Sequence, residues 1–280
     1  MAAAVDPVAA LLASLARLDS VLVAFSGGAD SAFLLAAVAR ALGPDQVVAA
    51  TAISPSLPAV ELRSAAAFAA ALGVRHETPA TDEMSRPGYR ANGGDRCYFC
   101  KAELMDTLRP LADRVGIEHV ATGTNADDAV AGFRPGMRAA AERRAITPLL
   151  DAGFTKAQVR QASRDWGLST ADKPAAACLS SRVAFGVEVT PRRLARIERA
   201  EEQLRALLAR AHVPVRNLRV RDLGEQARIE VDRELVTAVA ACDGVLAAAH
   251  EAGFASAYVD PAGFRSGAMN ELLPDPQVWR

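Results

Sequence analysis

No apolar run in this chain approaches the ~18 residues that a membrane-spanning helix needs, and only 5% of its residues are aromatic. Charge of one sign is lacking too: 32 Lys and Arg stand against 33 Asp and Glu, a formal net charge of −1. That balance omits the basic excess with which proteins meet a phosphate backbone, so nucleic acid is not an expected partner. Cysteine is scarce, four in 280 residues, which is no disulfide framework. No basic region precedes an apolar stretch at the N-terminus, so a secretory signal is not expected. The thiols are therefore read as reduced and open to metal binding or chemistry, in a cytoplasmic protein. Two phosphate-binding fingerprints are also missing, GxxxxGK[ST] and GxGxxG.

What the chain does have is alanine and aliphatic residue, with 51% hydrophobic content, enough for one large core or two modest ones. Short apolar strands are expected at Val21–Phe25, Val47–Ile53, Val74–Thr78 and His119–Thr122. Helical stretches at Asp30–Leu42, Ala59–Leu72 and Lys101–Val115 lie between them. The alternation predicts an α/β fold, a parallel sheet with helices on both faces. Ligands in such a sheet lie beyond the C-terminal ends of the strands. Asp82–Arg96, with Pro87, Gly88, Gly93 and Gly94, reads as a loop or lid. Helices at Thr155–Asp165 and Pro191–Ala211 bracket the glycine- and proline-punctuated Gly167–Gly186. The second carries Leu194, Ile197, Leu204, Leu207 and Leu208 as a core stripe. Leu218–Arg221 and Ala227–Val231 alternate apolar with charged residues, as half-exposed strands do. A boundary near 170–176 divides residues 1–172 from a smaller C-terminal α+β domain at 173–280.

Ser26-Gly27-Gly28-Ala29-Asp30-Ser31 follows the first strand and opens a helix. Backbone N–H groups and the helix dipole make such a turn an anion site. Gly27 and Gly28 allow close approach to phosphates, Ser26 and Ser31 offer hydroxyls, and Asp30 can take Mg²⁺. The plain alternative is an ordinary strand-to-helix turn. Gly123-Thr124-Asn125-Ala126-Asp127-Asp128 follows the fourth strand, and its paired carboxylates also suit Mg²⁺. Its alternative is a solvated turn whose Asn and Asp cap the next helix.

Cys97-Tyr98-Phe99-Cys100 stands directly before the helix expected from Lys101, a position that lowers a thiol's pKa. No second CxxC or HxxxH completes a zinc set. Cys178 lies in Lys173–Arg182 among small residues, with Ser180, Ser181 and Arg182 behind it. Three thiolates, Cys97, Cys100 and Cys178, can hold three corners of a [4Fe–4S] cluster and leave the fourth iron open. A buried structural cysteine is the alternative for Cys178, and Cys242 reads as a small core residue. Arg219 and Arg221 alternate along a strand and so share a face. With Arg265, in the turn Gly263–Gly267, they can clamp a phosphate or carboxylate, or else form a solvated basic face. Glu201 and Glu202 on the long helix can supply a second metal site or solvate a surface.

Ser26–Ser31 resembles the pyrophosphate loop of the N-type ATP pyrophosphatases, which split ATP to AMP and pyrophosphate. The whole set, with Arg96–Lys101, Gly123–Asp128, Lys173–Arg182, Arg219–Arg221 and Gly263–Asn270 in this order, resembles the LarE family over roughly residues 15–275. LarE proteins are ATP-dependent sulfur transferases of nickel-pincer nucleotide synthesis. The resemblance implies an adenine nucleotide α-hydrolase-like first domain, ATP and Mg²⁺ as cofactors, and a homo-oligomer acting on a small mononucleotide. It implies that ATP is bound by Ser26, Gly27, Gly28, Asp30, Ser31, Gly123, Thr124, Asn125 and Asp127. Ser180, Arg182, Arg219, Arg221 and Arg265 would hold the substrate, and Asp30, Asp128 and Glu201 would hold Mg²⁺. Carboxylates of pyridinium-3,5-biscarboxylic acid mononucleotide would be adenylated and then converted to thiocarboxylates. Cys178 would supply the sulfur and become dehydroalanine, or Cys97, Cys100 and Cys178 would hold a [4Fe–4S] cluster carrying an extra sulfide. The CxxC favours the second route. Ala29, Ala131 and Ala171 depart from the common valine, acidic residue and tryptophan of the family. A tRNA-thiolating enzyme, an ammonia-using synthetase and a nucleotide-binding regulator are the competing readings.

Overall fold

Val21 and Val23 point to one side of the first strand and Leu22 to the other, and all three are fully buried. A strand apolar on both faces belongs inside a sheet covered twice. In the computed structural model, which describes residues 6–130, 134–174, 177–265 and 267–269, that sheet has four strands. They are β1 (Val21–Ala24), β2 (Val47–Ala50), β3 (Arg75–Glu77) and β4 (His119–Thr122). Their order is β3-β2-β1-β4 and every pairing is parallel, with Val21 opposite both Val47 and His119.

Five longer helices accompany the sheet: α1 (Pro7–Leu15), α2 (Ala29–Leu42), α3 (Ala59–Ala71), α4 (Arg96–Arg114) and α5 (Lys156–Asp165). One core joins Leu11 and Leu15 of α1, Phe33 to Val38 of α2, Phe68 of α3 and Val159 of α5 to Val21 and Val23. On the opposite face, Met105, Leu108, Leu111 and Ala112 of α4 pack with Leu22, Val48 and Val120. Helix α5 starts at a capping box, in which Thr155 Oγ1 accepts from Gln158 N and Gln158 Oε1 accepts from Thr155 N. These elements, residues 6–83 and 97–174, form one compact unit.

The second unit takes residues 84–96 and 177–269. Its small mixed sheet runs β5 (Leu218–Asp222), β6 (Gln226–Val231) and β7 (Ser256–Val259), with β5–β6 antiparallel and β6–β7 parallel. Helix α6 (Pro191–Arg210) buries Leu194, Ile197, Leu204 and Leu208 and packs on β5 and on α7 (Val245–Glu251). Among the described residues no helix is long and apolar enough to cross a membrane.

Four expectations change. Residues 82–96 are no open lid, since a short helix at Pro87–Arg90 forms there and Tyr89, Asn92 and Arg96 are buried. Helix α4 starts at Arg96 rather than Lys101, so Cys97 and Cys100 sit within its first turns. All of β5 is buried, including both of its arginines, because acidic partners from β6 and α6 reach it. Cys242 is half-buried just beyond the helix Val236–Ala240, outside the core. Ala131, and Ala175, Ala176, Ser266 and Asn270 of the motifs above, lie outside the described residues.

Candidate functional site

Strand β1 ends at Ala24, and the turn that follows is shaped by its glycines. Gly27 has φ +71°, a region that costs other residues roughly 1–2 kcal/mol. Gly28 then caps α2, its N–H facing Ser26 Oγ at 3.4 Å. Ser31 Oγ donates to Gly28 O at 3.1 Å and lies 3.1 Å from Ser26 Oγ. The two hydroxyls therefore brace the turn across the head of α2, where the helix dipole is positive.

The turn borders a cleft of about 330 Å³ at the C-terminal ends of β1, β2 and β4, within the range of small-molecule sites. Ser26, Gly28, Asp30, Ser31, Thr124 and Asp128 make its polar wall. Ala50, Ala52, Leu57 and Leu104 make an apolar one, suited to the flat face of a nucleobase. At the floor Thr51 Oγ1 donates to Phe25 O at 2.7 Å and lies 2.8 Å from His76 Nε2. Burial holds the His76 pKa below its ordinary value, against the pull of Glu77.

Gly123 meets α2 head-on. A Cβ there would sit 2.8 Å from Ser31 N and 2.9 Å from Ser31 Cα, so only glycine lets the end of β4 approach the turn. Asn125, fully buried, accepts from Asp128 N through Oδ1 at 3.1 Å. Asp127 Oδ2 accepts from Lys156 N at 2.7 Å and so serves the first turn of α5. Asp128 Oδ1 pairs with Lys156 Nζ at 3.0 Å. The Asp30 pKa is raised by burial and then by the Asp128 charge, with Lys156 and Arg160 opposing. Two carboxylates that repel each other in one cleft fit a divalent cation, and Asp30 and Asp128 are the pair that would hold Mg²⁺.

Sequence reasoning missed Lys101, Lys173 and Glu61 here. Lys101 lines the cleft from α4, and burial pushes its pKa down while Cys100 and Cys97 pull it up. Lys173 Nζ donates to Gly27 O at 2.9 Å and to Glu61 Oε2 at 2.6 Å. Lys173 already stood in the Cys178 segment, but nothing in the spacing pointed it back to a turn 146 residues earlier.

In the second unit Cys178 is half-buried and precedes a 3₁₀ turn, Leu179–Arg182. Its Sγ is hydrogen-bonded to Ser180 Oγ at 3.0 Å. Its carbonyl accepts from Ser181 Oγ at 2.7 Å and Arg182 Nη1 at 2.9 Å. Arg182 also donates to Ala177 O and grips Glu201 through two nitrogens. Arg96 donates to Ser180 O at 2.9 Å and to Asn92 Oδ1, while Asn92 Nδ2 donates to Ala184 O at 2.7 Å. The thiol thus sits on a loop held from both sides.

Arg219 and Arg221 share the face of β5 that meets Glu230 and Arg228 of β6. Arg221 Nε donates to Glu230 Oε2 at 2.9 Å and Arg221 Nη1 to Ser181 O at 3.1 Å. Burial first, and then the Arg182 charge, lower the Arg219 pKa to about 10 despite Glu201. The turn bearing Arg265 is tied to β6 by Phe264 N donating to Val231 O at 2.7 Å, and the Phe264 ring lies 5.6 Å from the Arg219 guanidinium. Crowded, partly desolvated arginines are suited to an anion.

Glu201 gives Oε1 to both Arg182 and Val220 N, so its carboxylate is already well supplied with donors. Among the described residues no three His, Cys, Asp or Glu side chains gather to hold a metal. Cys97 and Cys100 belong to the first unit and Cys178 to the second.

No protein-family model matches the chain. It is 42% identical over 260 residues to an uncharacterized protein of Synechocystis sp., covering 92% of this chain and 94% of that one. It is 32% identical over 271 residues, 96% of each chain, to the pyridinium-3,5-bisthiocarboxylic acid mononucleotide synthase of Lactiplantibacillus plantarum. An uncharacterized protein of Methanocaldococcus jannaschii is 31% identical over 144 residues, 51% of this chain and 54% of its own.

Proposed function

The chain belongs to the LarE family, and on that premise we propose that it is an ATP-dependent sulfur transferase making the bisthiocarboxylic acid mononucleotide used in nickel-pincer cofactor synthesis. The observation that carries the ATP half is the Ser26–Ser31 turn with Asp30 and Asp128 in the same cleft.

A carboxylate is a poor electrophile until one of its oxygens joins a good leaving group. In this reading a substrate carboxylate oxygen attacks the α-phosphorus of ATP, the bond to the β-phosphate oxygen breaks, and pyrophosphate departs. Gly28 N–H, the head of α2 and the Ser26 and Ser31 hydroxyls meet the charge growing on that leaving group. Mg²⁺, held by Asp30 and Asp128, supplies further charge neutralisation when bound. Gly123 lets the end of β4 approach the α2 turn and Thr124 lines the cleft beside it, while Asn125 and Asp127 brace the loop that presents Asp128.

The Cys178 thiolate then attacks the acyl carbon and AMP leaves with the bond electrons. Removal of the Cys178 Cα proton breaks the Cβ–S bond, leaving sulfur on the substrate and dehydroalanine in the chain. Repetition on the second carboxylate requires a second sulfur donor. Arg219, Arg221 and Arg265 hold the substrate phosphate, and Ser180 and Arg182 keep the sulfur-bearing loop in place. Burial and like-charge crowding at Arg219 support an anion there.

The second route places a [4Fe–4S] cluster on Cys97, Cys100 and Cys178. Cys97 and Cys100, three residues apart on one helix, favour it. Anaerobic reconstitution with iron and sulfide, followed by metal analysis and intact mass after ATP, Mg²⁺ and substrate, separates the routes. Iron-free protein that loses one sulfur at Cys178 supports the sacrificial route, and stable iron with no mass loss supports the cluster.

A further inference from the structure

We propose that Lys173 is a positioning residue that presets the Gly27–Gly28 peptide so that its N–H faces the leaving pyrophosphate. The inference rests on the ATP-cleaving role proposed for the turn. A trans peptide directs its C=O and N–H to opposite sides, and no cis peptide occurs among the described residues. Lys173 Nζ holds Gly27 O at 2.9 Å. The partner N–H of the same peptide, on Gly28, is thereby turned the other way, where it faces Ser26 Oγ at 3.4 Å.

The surroundings agree with that division. Ser26 and Gly28 line the nucleotide cleft. Gly27 and Lys173 instead line a separate cavity of about 320 Å³ with Ser64, Phe68 and Thr170. The peptide is a partition, with its carbonyl on the lysine side and its N–H on the phosphate side. Gly27, at φ +71°, has the freedom to rotate this peptide, so without a restraint the alternative orientation would offer the phosphates a carbonyl.

Lys173 is itself restrained. Glu61 Oε2 receives its ammonium at 2.6 Å, both side chains being 20% exposed. Arg160 of α5 donates to Ala171 O at 2.6 Å and to Lys173 O at 2.9 Å, clamping the backbone that carries the lysine. A charged donor on a carbonyl also polarises the peptide and strengthens its N–H as a donor.

Binding of inorganic pyrophosphate with Mg²⁺, measured by calorimetry on the full chain, reads the preset N–H without needing the acceptor substrate. Lys173→Met is expected to weaken it about ten- to a hundredfold, the effect of one hydrogen bond to a charged group. Lys173→Arg, which can still reach the carbonyl, is expected to restore most of the affinity, and Glu61→Gln to give an intermediate loss. The Gly28 amide resonance in glycine-labelled protein should move on adding pyrophosphate to wild type and much less in Lys173→Met. Wild-type affinity and an unaltered Gly28 response in Lys173→Met would overturn the role of Lys173 alone. Failure of the wild type to bind pyrophosphate at all would overturn the ATP reading and this role with it. If Lys173→Met does not fold, the Lys173→Arg and Glu61→Gln pair decides, and wild-type affinity in Glu61→Gln with loss in Lys173→Arg would contradict the proposal.

Discussion

Arg182 and Glu201 form a two-pronged ion pair, Nε to Oε1 at 3.0 Å and Nη2 to Oε2 at 3.2 Å, with side chains 4% and 10% exposed. The same guanidinium donates to the Cys178 carbonyl. One buried pair therefore ties the sulfur-bearing loop to α6.

Removing one partner strands the other charge, so Glu201→Ala should destabilise the protein by about 3–5 kcal/mol. The double replacement Arg182→Met with Glu201→Leu should recover most of that loss, because no charge is left uncompensated. Urea unfolding of the single and double variants measures both. A harmless Glu201→Ala would show that the pair is not buried as described.

Asp30 gives a pH signature. Its pKa is raised by burial and by Asp128, so from 3.8 upward, until the raised value is passed, the native state holds more protons than the unfolded one. Stability then falls as pH rises through that window. Asp30→Asn removes the effect, and its unfolding midpoint should move above that of wild type as the pH is raised beyond the ordinary aspartate value of 3.8 while pyrophosphate release is lost. Added Mg²⁺ should lower the Asp30 pKa in a carboxyl NMR titration, and a pKa indifferent to Mg²⁺ would remove Asp30 from the cation site.

Gly123→Ala puts a methyl group against the backbone of Asp30 and Ser31. Displacement of the α2 head should cost about 1–3 kcal/mol and weaken Mg²⁺–ATP binding at the same time. Thermal unfolding and calorimetry read the two effects, and an unchanged affinity would separate the glycine turn from the nucleotide.

Much of the first unit was legible because its signals are local. His119–Thr122 and the start of α3 at Ala59 fall where expected, and the glycine turn announced itself by the apolar run before it and the helix after it. The second unit was less legible because its determinants are distant. Arg219 and Arg221 alternate with apolar residues and read as half-exposed, yet Glu230 and a loop carbonyl at Ser181 take them into the interior. Residues 82–96 carry the glycines and proline of a free loop. Asn92 is nevertheless buried because its amide serves Ala184 and Val187, some ninety positions along the chain. The early start of α4 escaped notice because Cys97, Tyr98 and Phe99 show no helical alternation of apolar and polar residues.

Lys101→Met should tell whether the half-buried Lys101 ammonium, which lines the cleft, serves the nucleotide. Its lowered pKa reflects the cost of burying a charge, so the variant should be no less stable than wild type while Mg²⁺–ATP affinity falls about tenfold or more. Unchanged affinity would make Lys101 a bystander of the cleft.

Cys178→Ala separates the two halves of the reaction. With ATP, Mg²⁺ and the pyridinium dicarboxylate mononucleotide, pyrophosphate release and thiocarboxylate formation are followed side by side. The account predicts that the variant still releases pyrophosphate and forms no thiocarboxylate. Thiocarboxylate made at the wild-type rate without that thiol would contradict it.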